Sequence, residues 1–118
     1  NNNPEGTHHL LHNRLAPAQA ARSIEVLVLD AAGHYTKAGA EVRVFRPGTR
    51  TPLGSRLVDT GSGYCSQSAA PVHIGLGRDA KVDVEVTTMG RAGRHVTRVS
   101  SVDPATLPRH VLVVKAKE

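Results

Sequence analysis

Valine at every second position, with a charged residue between, is the feature that most limits what this chain can become. Residues 41–44 read Glu-Val-Arg-Val, and residues 82–86 read Val-Asp-Val-Glu-Val. A two-residue period sends the valines to one face and the charges to the other, as in a strand lying between a core and solvent. β-Branched side chains also fit the pleated backbone better than a helix. By the same reading residues 24–29, 56–60, 72–74, 95–99 and 111–115 are strands. In the first of these Glu25 faces outward ahead of a two-sided apolar run, as expected where both faces are covered. Eleven glycines and seven prolines cut the chain into short segments. About seven or eight short strands, with a turn roughly every ten residues, predict an all-β fold. The expected architecture is an antiparallel β-sandwich, with a small β-barrel as the alternative.

The core has to be aliphatic, because 118 residues include one Phe, two Tyr and no Trp. That length suits one domain with a single core. Residues 22–118 are taken as that domain. Residues 1–21 differ in composition and read as a tail and linker, with Pro4, Gly6 and Pro17 breaking any regular structure.

The least generic stretch is residues 61–77. Its first eight residues read Gly-Ser-Gly-Tyr-Cys-Ser-Gln-Ser and its last seven Pro-Val-His-Ile-Gly-Leu-Gly. The glycine pairs Gly61/Gly63 and Gly75/Gly77 bracket it, which suggests sharp turns around a short strand. Val72, His73 and Ile74 alternate, so His73 faces away from its neighbours. Tyr64, Ser66 and Gln67 then make a hydrogen-bonded network with His73 the expected role, because a buried polar group left unpaired costs about 1–3 kcal/mol. The competing reading is an enzyme, with Cys65 or Ser66 as nucleophile and His73 as base. No acid in the stretch can orient the histidine, and no strand–turn–helix elbow surrounds the nucleophile. No catalytic residue is therefore assigned.

These residues resemble the signature of the ASPIC/UnbV domain. In that family a Gly-Ser-Gly-Tyr-x-Ser-Gln run is followed by His-Phe-Gly-Leu-Gly; here Ile74 stands in place of the Phe. Residues 37–44, Lys-Ala-Gly-Ala-Glu-Val-Arg-Val, are similar to the family's Gly-Ala-x-Val strand, so the resemblance spans residues 24–99. It implies a non-catalytic accessory domain of an extracellular protein that follows FG-GAP-type β-propeller repeats. The expected location is then secreted, periplasmic or cell-surface, and the first partner is the protein's own preceding propeller. Residues 10–13, Leu-Leu-His-Asn, resemble the end of such a repeat. Relatives continue the Val-Glu-Val strand with Trp-Pro-x-Gly, whereas residues 87–90 here read Thr-Thr-Met-Gly.

A net charge of +5 and a pI of about 10.0 suit an acidic partner. The arginines are scattered singly, and there is almost no aromatic surface for stacking bases, which weighs against nucleic acid. An acidic glycan or an extracellular protein fits better. Binding groups tend to sit on loops held by a scaffold, so Arg46, Arg50, Arg91 and Arg94 are the candidates, on loops at residues 46–54 and 89–94. A third loop at residues 61–70 completes the set. A structural cap or a homo-oligomeric contact is the alternative role. His8 and His12 lie four apart, but nothing secures a helix there and no third ligand follows, so no metal or cofactor is expected. One cysteine excludes an internal disulfide, and no run of residues is long and apolar enough to cross a membrane as a helix.

Overall fold

The computed structural model describes residues 11–34, 36–61, 63 and 71–117. It is a two-layer β-sandwich, as the valine alternation predicts, and neither sheet closes into a barrel. The strands are β1 (Ser23–Leu29), β2 (Glu41–Phe45), β3 (Pro52–Leu57), β4 (Val72–Gly75), β5 (Val82–Gly90), β6 (Gly93–Val102) and β7 (Val111–Lys115). One sheet has the order β4-β1-β7 and the other β3-β2-β5-β6.

Every pairing is antiparallel except β1 with β7, where Glu25 faces Val111 and Leu29 faces Lys115 in parallel register. That pair arises because β6 and β7 belong to different sheets. The chain crosses between them through two short 3-10 turns, Pro104–Thr106 and Pro108–His110, instead of folding back as a hairpin.

The core is built mainly from valine. Ile24, Val26 and Val28 of β1 meet Val42 and Val44 of β2 and Val82, Val84 and Val86 of β5, all at most 1% exposed. A short branched side chain on every second residue fills the space between two sheets without the long rotamers that cost entropy on burial. The absence of large aromatics is met by density of small contacts.

Two departures from the sequence expectation have physical causes. The third strand lies at residues 52–57, upstream of the expected residues 56–60, because Arg46 N–H donates to the Thr51 carbonyl and closes the hairpin early. Pro52 and Gly54 read locally as loop residues. As an outer strand of the sheet β3 tolerates the proline, and Gly54 is where Ile74 of β4 approaches: a Cβ there would stand 2.9 Å from Ile74 Cγ2. The second departure is the length of β6, which runs over ten residues instead of the expected five. Gly90 faces Gly93 across a two-residue connection, Arg91 and Ala92, so β5 and β6 form one tight hairpin, with Gly93 at φ 108. A short helix, Pro17–Ala20, interrupts what reads as linker and buries none of its residues.

Candidate functional site

The outer face of the four-stranded sheet gathers most of the charge chemistry. Period-two alternation places Asp83, Glu85 and Thr87 of β5 on the side opposite the core valines. Register then decides their neighbours, since Glu85 faces Arg43 of β2 on one side and Arg98 of β6 on the other. The hairpin after β2 brings Arg50 back over the same spot, where its guanidinium lies 4.4 Å from the centre of the Phe45 ring.

Glu85 is thereby enclosed, although it is on the outward face. Its Oε2 accepts from Arg50 Nη1 at 2.8 Å and from Arg98 Nε at 2.9 Å. Arg94 Nη2 lies 4.0 Å from Oε1 and donates to Thr87 Oγ1 at 3.4 Å. The residue is 2% exposed, whereas the side chains of Arg50, Arg94 and Arg98 are 63%, 54% and 65% exposed. The Arg50 hydrogen bond is the main reason that the Glu85 carboxyl is held below the usual carboxylate range; Arg98 adds to this, and burial opposes it.

Asp83 acts differently, as a tie between two backbone segments. Its carboxylate accepts from Gly48 N–H and Ser101 N–H, each at 2.8 Å. Ser101 sits at φ 53, where β6 bulges and the register shifts between Val82 and Val84. These backbone donors, Ser101 first, hold the Asp83 carboxyl below its usual range. The bulge and the hairpin loop are thus fixed to one side chain. Between them lies a recess of about 300 Å³, lined by Phe45, Thr49, Arg50, Glu85, Arg98 and Ser100 among others. Arg43 stays outside this cluster: its Nε donates to Glu41 Oε1 at 2.8 Å, and that carboxylate raises its pKa.

Of the four arginines expected to carry a ligand, the structure brings Arg50 and Arg94 together. Arg46 turns instead toward Asp79, with Nε and Oδ2 3.5 Å apart. Arg91 is exposed at the tip of the β5–β6 hairpin. Arg98, which reads from sequence as one of many solvated arginines, faces Glu85 across the β5–β6 pair and donates to it. A signal for it existed in the two alternating strands, had their pairing been known.

The glycine-rich motif is only partly within the described residues. Tyr64, Cys65, Ser66 and Gln67 lie outside them, as does His8. Gly61, Gly63, Gly75 and Gly77 are exposed, and Gly77 takes φ 61, a left-handed turn that favours glycine. His73 does face away from Ile74, but its side is the solvent side of the three-stranded sheet, opposite Glu25. It is exposed, so the buried setting expected for it is not the one it has. His12 is also exposed, and no group of three or more metal-ligating side chains occurs among the described residues.

The family model described as ASPIC and UnbV matches residues 32–102, which span the whole four-stranded sheet together with β4. No curated protein and no solved structure matches the chain.

Proposed function

The chain belongs to the ASPIC and UnbV family, and from that premise we propose that it is a non-catalytic accessory domain whose arginine-bearing sheet face binds acidic groups of an extracellular glycan or protein. One observation carries this reading: three guanidiniums, each more than half exposed, converge on a single buried carboxylate. With Asp83 counted, which lines the same recess, three guanidiniums stand against two carboxylates, so the face keeps a small excess of positive charge. Guanidinium groups held in place by Glu85 and by the Phe45 ring lose little freedom on binding a carboxylate or sulfate. A location outside the cytoplasm and a preceding β-propeller belong to the same proposal.

The test uses a sulfated polysaccharide of the heparin type as the probe and the full chain as the protein. Retention is expected at low salt and its loss as salt rises. Replacing Arg94 and Arg98 together by serine weakens binding by about tenfold, on the scale of losing charge-assisted hydrogen bonds. Retention that ignores both substitutions would overturn the assignment to this face.

A docking or self-association role has its own support on the opposite side of the molecule. Leu27 faces Val113 across the parallel pair on the solvent side of the three-stranded sheet, and Val113 is 54% exposed. If that face joins two copies, sedimentation shows a dimer that Val113→Lys dissolves. A monomer at every concentration removes the self-association reading and leaves docking onto a neighbouring domain.

A further inference from the structure

We infer that the outer edge of β6 is a docking site for an extended acidic segment of a partner protein, added as a fifth strand to the four-stranded sheet. The inference rests on the acidic-ligand reading above and names its partner.

Among the described residues β6, with ten, is the longest strand, and no strand pairs with its far side. Its pairing with β5 is regular from Gly93 to Val99, and the bulge begins only beyond that point. In such a stretch alternate residues turn their N–H and C=O groups away from the neighbour, which is a template for strand addition. The other sheet edges offer less. Strand β4 has four residues and β7 five, while β3 begins with a proline and shifts register against β2.

The side chains along this edge select the partner. Arg94 and Arg98 share the outer face four residues apart, roughly 13 Å along a strand. A strand laid beside β6 would bring its facing side chains to about 5 Å from theirs, the spacing at which opposite charges pair. Arg98 meets Glu85 through Nε, and its side chain is 65% exposed. On the other face His95, Thr97 and Val99 are part-buried, which suits small β-branched neighbours. The pattern recognised is therefore an acidic residue at two positions four apart, with β-branched residues between. A polysaccharide offers no row of amide groups with this period, so a peptide uses more of the edge. Charged side chains also guard sheet edges against casual pairing, but an arginine edge repels only basic strands and attracts acidic ones.

The probe is a capped, labelled seven-residue peptide of threonine and valine with glutamates at its second and sixth positions. Its counterpart carries N-methyl groups at alternate backbone amides, which keep the charge and block strand pairing. Binding by anisotropy is expected for the first, with slowed amide exchange along β6, and binding about tenfold weaker or worse for the second. Arg94→Glu should shift preference to the peptide with lysine at the facing position. Equal binding of both peptides overturns strand addition. A sulfated polysaccharide that binds while the peptide does not overturns this inference and leaves the acidic-ligand reading standing. If neither binds, both fail.

Discussion

Replacing Arg50 and Arg98 together by methionine is expected to lower unfolding free energy at neutral pH by about 3 kcal/mol, read as a fall in the denaturant midpoint at unchanged slope. Methionine keeps the length that covers Glu85 and removes both charges that satisfy it. The carboxylate is then left 2% exposed, with Arg94 at 4.0 Å and with Arg43 opposite it on β2 already engaged by Glu41. The figure sits at the low end for a buried charge deprived of its partners, because side chains alone provide the cover. Alanine at the same two positions should cost less, since water then reaches Glu85. Adding Glu85→Gln to the methionine pair should recover most of the loss. A methionine pair as stable as the parent would show that Glu85 does not depend on these arginines.

The same cluster fixes the sign of a pH dependence. The folded-state pKa of Glu85 is depressed, first by the Arg50 hydrogen bond. Its contribution is therefore complete above the unfolded-state value and is lost as pH falls through the folded value, from about pH 5 downward. Asp83 has the same sign, through Ser101 and Gly48. In the methionine pair, burial without partners pushes the Glu85 carboxyl the other way, so protonation relieves the variant. The stability gap between parent and variant should narrow as pH is lowered from neutrality to about 4.

Gly54→Ala is the second large effect, a loss of about 1–3 kcal/mol from overpacking. The new methyl would lie 2.9 Å from Ile74 Cγ2, and Ile74 has little room to retreat. It is 5% exposed, packs in the core and faces Ile24 across the β1–β4 pair. A branched side chain at a strand position also has few rotamers to choose from. In an Ile74→Ala background the same change should become neutral or stabilising, because alanine then fills space and suits a strand better than glycine. Thermal unfolding of the four proteins in this cycle gives the coupling directly. If Gly54→Ala costs the same in both backgrounds, the close approach of β3 to β4 is not what requires glycine.

Much of this was legible along the chain. Alternation in residues 41–44 and 82–86 placed Val42, Val44, Val82, Val84 and Val86 in the core and Asp83 and Glu85 on the opposite face, since the strand period is a property of the backbone itself. The family signature in residues 61–77 was readable for the same local reason, as a run of particular residues at particular spacings. Arg50 and Arg94 were legible as candidates because each lies in or beside a glycine-bearing turn. Arg98 was not, because a lone arginine on an alternating strand looks the same whether it faces water or a carboxylate.

Sequence alone determined that the protein is all-β with an aliphatic core, which face of the alternating strands is apolar, and the family to which the chain belongs. Those properties depend on neighbours one or two residues away. The two open sheets decided for a sandwich over a barrel. Tertiary structure decided which strands lie side by side, and with that everything about the arginine face. Glu85 is enclosed only because β5 lies between β2 and β6 and because the Arg46–Thr51 closure returns Arg50 over the sheet. Gly54 is a strand residue because β3 pairs with β2, and Ile74 from the other sheet takes the space a side chain there would need. Apart from the Arg46–Thr51 closure, these contacts join residues well separated in the chain, set by strand order and by how the two sheets pack, and no local pattern encodes them.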